Sequence, residues 1–402
     1  MFKLLTTFLG IVQLPLLFLF SFWLFLLARR GKTSKNKIYY PKVTIIIPTF
    51  NEEDKIGKCL ASIFNSEYPK EKLEVIVVDE GQDKTAEIAK KLGAKVIKVK
   101  KAGKAINCNK GLKKAKGEIV IFMDADTRLE KDSIKKLVQP FADKKVGISQ
   151  GNVLVSNKSS LLTKFQEIEY KFVNKIRDAH LSNRIPFPYV WGCFLAFRKK
   201  VLEEIGGFEA DTMAEDNDAM IRILKAGYEI AVTKAKAYTN VPTKIAELIK
   251  QRLRWLKGTF QLGIKHKDII SLKYGNYFLF LYPFWPIYGL LYFPLLLYLF
   301  FFWLFKINNL LDLSIYLLNW FTFLGPFYCL FKLPQWGFEF YILIGCLVGL
   351  VSFTLLFLSL NPRGKNLLYL FIFPIYGTFF LNFILFLSSF YIILSKEKKF
   401  VR

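Results

Sequence analysis

The chain has 402 residues, 53% of them hydrophobic, with 41 Phe and a formal net charge of +26. That apolar content excludes an ordinary soluble protein unless the excess is gathered in one place, and residues 1–28 and 275–394 do carry hardly any charge. Most of the positive charge lies between Arg29 and Lys273; beside apolar segments it suits an anionic lipid surface and anionic ligands, much of it reads as solvated lysine-rich helix faces, and no nucleic-acid-binding motif accompanies it.

In chain order, Leu4–Ala28 is an apolar run long enough to span a bilayer, which needs about 20 residues. It ends in Arg29, Arg30 and Lys32. A cleaved signal peptide is the competing reading. The run is long for one, and no small-residue cleavage site precedes the basic cluster. A retained helix is therefore expected, with its C-terminal end in the cytosol.

Between the apolar regions, strand-like and helix-like runs alternate. Val43–Ile47, Leu73–Asp79, Lys95–Val99 and Ile119–Asp124 read as strands, and Asp54–Ser66, Thr85–Leu92 and Ala105–Ala115 as helices. This order predicts a parallel sheet with helices on both faces, and ligands of such sheets bind beyond the carboxyl ends of the strands. A helix is expected over Thr243–Gly263, with Ile245, Leu248, Ile249 and Leu256 on one face and Gln251, Arg254 and Trp255 on the neighbouring one. Four apolar stretches follow, Tyr277–Phe305, Leu311–Phe331, Phe340–Leu360 and Leu367–Leu394, the first containing Pro283, Pro286 and Pro294. With the N-terminal helix they predict about five membrane spans. The basic tail at Lys396–Lys399 and the Arg29–Lys273 segment would then share the cytosolic side. The five Cys (Cys59, Cys108, Cys193, Cys329, Cys346) have no metal-ligand spacing, which favours a reducing compartment over a disulfide framework.

Three strands end in polar or acidic residues: Pro48–Glu52 after the first, Asp79–Asp83 after the second, and Asp124–Ala125–Asp126 after the fourth. Acids at successive strand ends of one sheet converge on one crevice, although Asp83 and Asp132 also read as loop acids or helix caps. Asp124 and Asp126, one residue apart, point the same way in an extended segment, and hard carboxylate oxygens suit Mg2+ or Mn2+. Gln166–Glu169 reads as a solvated helix face, with packing near the site as the alternative. Cys193 reads as a small wall residue rather than a nucleophile, because His180 and His266 are the only His and neither has a motif around it.

These pieces together resemble glycosyltransferase family 2, the group of cellulose, hyaluronan and poly-N-acetylglucosamine synthases. The matching motifs run in the family's order: PTFNE from Pro48, VVDEGQDKT from Val77, GKAINCNKGL from Gly103, DAD at Asp124, WGCFLAFR from Trp191, GGF from Gly206, AED from Ala214 and QRLRW from Gln251. The resemblance covers about Val43 to Gly258 and implies an α/β GT-A (Rossmann-like) glycosyltransferase domain plus α-helical transmembrane segments. It divides the chain into an N-terminal transmembrane helix (1–28), a cytosolic GT-A domain (29–242), interfacial helices with QxxRW (243–274), a transmembrane region of about four helices (275–394) and a basic cytosolic tail (395–402).

The resemblance also implies roles. Thr49, Glu52 and Asp79 would hold the nucleobase and ribose of a UDP-sugar, and Lys104 its diphosphate. Asp124 would contact the donor and Asp126 the Mg2+ or Mn2+ ion. Asp216 would be the general base. Gln251 and Arg254 would serve the donor, while Trp255, Trp191, Gly192 and Cys193 would line the acceptor end. The implied enzyme is an integral-membrane, metal-dependent, inverting hexosyltransferase acting on a polysaccharide or lipid acceptor, with no nucleic acid partner. A processive polysaccharide synthase, possible exporter of its own product, is the first reading, and a lipid glycosyltransferase adding one sugar to a ceramide-like or polyprenyl lipid is the second. A scaffold carrying a dead transferase domain is a third, which the intact carboxylates argue against. Two departures touch the donor contacts: the loop after the second strand reads DEGQD where the family commonly has Asp-x-x-Ser-x-Asp, and Ala214 stands where Thr or Ser is common.

Overall fold

The computed structural model describes residues 2–29, 38–183, 185–187, 189–269, 285–305, 307–324 and 340–394. Its centre is an eight-stranded sheet of order β3-β2-β1-β4-β7-β6-β8-β5. The strands are β1 (Val43–Thr49), β2 (Leu73–Asp79), β3 (Lys95–Lys98), β4 (Ile119–Met123), β5 (Arg128–Leu129), β6 (Val146–Val155), β7 (Phe194–Arg198) and β8 (Glu229–Thr239).

Strands β1 to β4 lie where the apolar runs place them, and they pair in parallel: β1 with β2, β1 with β4 and β2 with β3. Their unbroken apolar runs follow from burial on both faces. Ile45, Ile47, Val75 and Val77 pack on one face with Ile56, Cys59, Leu60 and Ile63 of α2 (Glu53–Phe64). Ile46, Ile76, Val78 and Val120 pack on the other with Ala105, Cys108 and Leu112 of α4 (Lys104–Lys114). Each fully buried Ile of this kind contributes about 1.5–3 kcal/mol. Helix α3 (Thr85–Lys91) links β2 to β3.

The second half of the sheet departs from the expected all-parallel arrangement. Strand β7 inserts antiparallel between β4 and β6, whereas β6 and β8 pair in parallel with two register irregularities. The antiparallel insertion matters for the site, because it opposes Met123, the last residue of β4, to Phe194, the first of β7. Residues just after β4 and just before β7 therefore meet at one edge. The remaining helices of this domain are α5 (Ser133–Val138), α6 (Leu161–Ser182), α7 (Lys199–Glu204), α8 (Glu215–Lys225) and α9 (Ile245–Lys265). Helix α6 opens with a capping box in which the Ser160 side chain accepts from the Thr163 amide and the Thr163 side chain accepts from the Ser160 amide.

Apolar helices occupy Phe2–Ala28 (α1), Trp285–Leu304 and Phe340–Leu360. Residues 366–390 form a run that includes a π-helical turn at Ile375–Phe380. Among the described residues, that 25-residue run is the one helix long and apolar enough to cross a membrane by length and composition. The apolar stretches Gln13–Ala28, Gly289–Tyr298 and Ile344–Leu360 are shorter. Of the second expected C-terminal span, the described part holds a 12-residue helix, Leu310–Phe321. Residues 325–331 of that stretch, Pro283, and the tail from 395 lie outside the described residues. The Phe2–Ala28 helix packs along Phe340–Leu360, and Trp285–Leu304 along Leu381–Leu394. Helix α6 touches both Phe2–Ala28 and Phe340–Leu360, and α9 touches Leu381–Leu394, so these two helices join the sheet domain to the apolar ones.

Candidate active site

The carboxyl ends of β1, β2 and β4 point to one edge, and most of the expected site residues gather there. An open crevice of about 950 Å³ is lined by Lys104, Asp124, Asp126, Trp191, Gly192, Cys193, Asp216, Gln251, Arg254 and Trp255. Ten residues from distant motifs thus share one wall. Thr49, Glu52 and Asp79 do not line it.

Asp124 and Asp126 follow β4 directly. The Lys104 ammonium at the start of α4 lies 2.7 Å from Asp124 Oδ1 and 3.9 Å from Glu215 Oε1. Burial alone would lower the pKa of this ammonium, but Asp124 and Glu215 outweigh it and hold it well above its usual range. Asp126 accepts from Thr239 Oγ1 at 3.2 Å. Burial, followed by the charge of Asp124, pushes the Asp126 carboxyl up. Burial also pushes Glu215 up, opposed by Lys104 and reinforced by Asp216. The crevice therefore concentrates four carboxyl groups against one lysine and Arg254, which suits a site completed by cationic ligands.

Asp216 stands at the start of α8. Its Oδ1 accepts from the Asn217 amide at 2.8 Å and from Asn217 Nδ2 at 3.1 Å. Its Oδ2 faces Gly192, and a Cβ built on Gly192 would lie 2.1 Å from that oxygen. Only Gly lets the chain before β7 approach the carboxylate so closely. Asn217 also accepts from the Val190 amide at 3.0 Å, which ties the same segment to α8.

Trp191 is buried at 4% exposure, and its indole N–H donates to Asn174 Oδ1 at 2.7 Å. Tyr170 stacks on it with ring centroids 4.3 Å apart, and Tyr189 meets it edge-on at 5.0 Å. Trp191 is thus a floor for the crevice rather than an open stacking face. Trp255, half-buried, lines the crevice and meets Trp191 at 6.4 Å. Burial pushes the Cys193 thiol well above its usual range, so it stays protonated, in keeping with a wall residue.

The residues of β1 and β2 expected on the donor side form an internal network instead. Thr49 Oγ1 donates to Asp79 Oδ1 at 2.8 Å, the Gly81 amide donates to the same oxygen at 3.2 Å, and Lys98 Nζ lies 2.7 Å from Oδ2. Thr49 and Asp79 are 3% and 0% exposed, so a nucleobase would reach Asp79 only by displacing Lys98. Glu52 stands at the N-cap position of α2 without a side-chain capping bond and pairs with Lys55 at 2.8 Å.

Several residues were missed from the sequence. Glu80, in the divergent DEGQD loop, accepts through Oε2 from the Ala102 amide at 2.8 Å, the Gly103 amide at 3.0 Å and Asn107 Nδ2 at 2.7 Å. It fixes the turn that presents Lys104, a turn that needs Gly103 at φ 91°. Its loop departs from the family pattern by lacking Ser, but that departure does not single out Glu80. Tyr170, Tyr189 and Glu215 also line the crevice; Glu215 stood in the AED motif, whereas neither Tyr carried a local signal. The expected solvated face at Gln166–Glu169 is instead packed, with Gln166 at 0% and Glu167 at 8% exposure. Gln166 Nε2 donates to Pro242 O at 2.8 Å, because α6 lies between the sheet and the apolar helices rather than in water.

Below the crevice, Asp218 of α8 anchors α9. Its Oδ1 lies 2.9 Å from His266 Nε2 and 2.8 Å from Lys265 Nζ, and its Oδ2 2.7 Å from Arg222 Nε. Burial raises its pKa, but the hydrogen bonds from His266 and Lys265 and the charge of Arg222 win and hold it at about 2. A carboxylate whose folded pKa is depressed stabilises the fold above its unfolded value, near 3.9, and loses that contribution as pH falls towards 2. The stability advantage of the native chain over an Asp218→Asn variant should therefore shrink by about 2 kcal/mol between pH 5 and pH 2, measured by denaturant unfolding at each pH.

Residues 44–206 match the family model described as Glycosyl transferase family 2. The chain is 30% identical over 231 residues to the poly-beta-1,6-N-acetyl-D-glucosamine synthase of Staphylococcus epidermidis, covering 56% of each protein. It is 30% identical over 247 residues to a Bacillus subtilis protein named "Probable glycosyltransferase YdaM", covering 58% of this chain and 59% of that one. The matched part is thus little more than half the length of these curated relatives. A mannosyltransferase of Pyrobaculum calidifontis, solved with GDP-Man and Mn2+, has a similar fold, with TM-score 0.62 at 22% identity over 87% of this chain and 99% of that one. The chain therefore carries a glycosyltransferase domain of family 2, with the GT-A fold.

Proposed function

We propose that this chain is a membrane-bound, inverting glycosyltransferase that adds sugars from a UDP-sugar to a β-linked polysaccharide on the cytosolic side. The observation that carries the reading is the crevice in which Asp124, Asp126 and Asp216 share one space with Lys104 and Arg254, beside Trp255. The name of the staphylococcal relatives favours UDP-N-acetylglucosamine as donor.

Each chemical step then has a residue. An acceptor hydroxyl is a poor nucleophile at neutral pH, and Asp216 Oδ2, opposite Gly192, is placed to take its proton as it attacks the anomeric carbon. One base with no protein nucleophile is a single displacement, so the anomeric configuration inverts. Lys104 and Arg254 offset the charge that grows on the leaving diphosphate. Gln251 serves the same donor side, and Thr49, Glu52 and Asp79 receive the uridine once Lys98 moves. Trp255, with Gly192, Cys193 and the Trp191 floor, accommodates the acceptor sugar.

The residues present fit a divalent cation. Asp126 is pushed up by burial and by Asp124, a strain that a cation relieves, and Mg2+ or Mn2+ needs only one or two carboxylates when phosphates complete its shell. Asp126, with Asp124, would hold it, and it would supply neutralisation of the leaving diphosphate.

The domain layout follows the same reading: a retained helix over 1–28, a cytosolic GT-A domain over 29–242, interfacial helices over 243–274, a membrane region over 275–394 and a basic cytosolic tail. A second reading, single-sugar transfer to a lipid, is favoured by one observation: α9, which bears Trp255, packs on the apolar helix Leu381–Leu394, so an acceptor can reach it from the bilayer. Purified full-length protein, screened with UDP-sugars and Mn2+, should release UDP and build oligosaccharides of several residues, and EDTA should abolish both. Products carrying one sugar on a lipid would favour the second reading, and no turnover with any nucleotide sugar would overturn both.

A further inference from the structure

Arg252, the second residue of QRLRW, has no role in the chemistry above, yet its side chain is buried and bonded to residues of two other elements. It is 4% exposed. Its Nη2 lies 2.8 Å from Glu169 Oε2 of α6 and 3.4 Å from the hydroxyl of Tyr376. The Tyr376 hydroxyl donates to the same Glu169 oxygen at 2.6 Å. Tyr376 is 2% exposed, stacks on Phe165 of α6, and belongs to the π-helical turn Ile375–Phe380 within the 366–390 run. The π-turn is a local departure from α-helix that frequently marks a functional position. The other side of the Arg252 guanidinium covers the Trp255 ring at 4.2 Å.

One guanidinium therefore joins three elements to one aromatic. A buried Arg must be paired, and its planar fork bonds in fixed directions while its flat face stacks on a ring. Fixing Glu169 and Tyr376 thus fixes Arg252, and Arg252 fixes the plane of Trp255. We propose that Glu169, Arg252 and Tyr376 are positioning residues that set Trp255 for the acceptor, so that the docking of α9 on the 366–390 helix controls how the acceptor is held. The inference rests on the transferase reading for the identity of the acceptor.

The test uses the full-length chain in nanodiscs. Binding of a β-1,6-linked N-acetylglucosamine oligosaccharide and of UDP is measured directly, alongside KM and kcat for transfer from UDP-N-acetylglucosamine. Arg252→Lys keeps the charge but lacks the flat fork, and should weaken oligosaccharide binding and raise acceptor KM by about ten-fold, with a smaller change in UDP affinity and donor KM through the lost Nη1 bond to Gln251 Oε1 at 3.1 Å. Tyr376→Phe removes one oxygen and should give a smaller shift of the same kind, about three-fold. The two together should be no worse than Arg252→Lys alone, because they break one unit. A purely structural role would instead lower active protein and leave acceptor KM unchanged. Native acceptor binding in Arg252→Lys and Tyr376→Phe, or strictly additive effects, would overturn the inference while leaving the transferase reading in place. If no sugar is transferred by the native chain, that reading falls, and a non-additive loss of oligosaccharide binding still supports the positioning role.

Discussion

Replacing Asp216 with Asn should reduce sugar transfer by about 10²–10⁴ while leaving UDP binding close to native. Asn is isosteric and keeps an oxygen for the Asn217 amide that now bonds Oδ1 at 2.8 Å, so the start of α8 has no reason to move. What it loses is an oxygen able to take a proton. The neighbouring Glu215 is the control. Burial pushes its carboxyl up, and it lies 3.9 Å from Lys104, so in the proposed reading it acts on the diphosphate side through that lysine. Glu215→Gln should raise the donor KM, whereas Asp216→Asn should act on kcat, and steady-state kinetics on both variants separates the two acids. Native kcat in Asp216→Asn would remove Asp216 as the base.

Gly192→Ala should be nearly as damaging, although no reacting atom is removed. The added Cβ would stand 2.1 Å from Asp216 Oδ2 and 2.9 Å from its Cγ, and no contact that short survives. Either the carboxylate rotates or the chain before β7 withdraws. A displacement of about 1 Å at a reacting group can cost about 10²-fold in rate. The clash is with the functional end of one side chain at the rim of an open crevice, so the melting temperature should change little. Turnover and thermal unfolding measured together check this. An active Gly192→Ala enzyme would mean that Asp216 works from another position.

What could be read from the sequence follows from how local the cause was. Strands β1 to β4 and helices α2 to α4 were legible because their periodicity is set by burial on both faces of the sheet, where Ile45 and Ile46 are both at 0% exposure. The meeting of Asp124 with Trp191–Cys193 was implied only by family likeness. Physically it depends on β7 entering antiparallel beside β4, a register chosen by contacts about seventy residues apart, which no local pattern encodes. Helix α6 was misread at Gln166–Glu169 because a polar stretch normally faces water. Here its polar residues bond to distant backbone, as when Asn174 Nδ2 donates to Val153 O at 2.7 Å and Arg177 Nη1 to Gly151 O at 3.0 Å. The placement of Asp79 under Lys98 was equally unreadable, since Lys98 reaches it from a neighbouring strand.

The catalytic proposal turns on a single displacement with Asp216 as base, and the anomeric configuration of the new bond reports on it most directly. Full-length protein incubated with α-linked UDP-N-acetylglucosamine, Mn2+ and a β-linked N-acetylglucosamine oligosaccharide should yield a product whose new linkage is β by NMR, with none formed by Asp216→Asn. An α-linked product, or an unchanged yield from Asp216→Asn, would contradict the account.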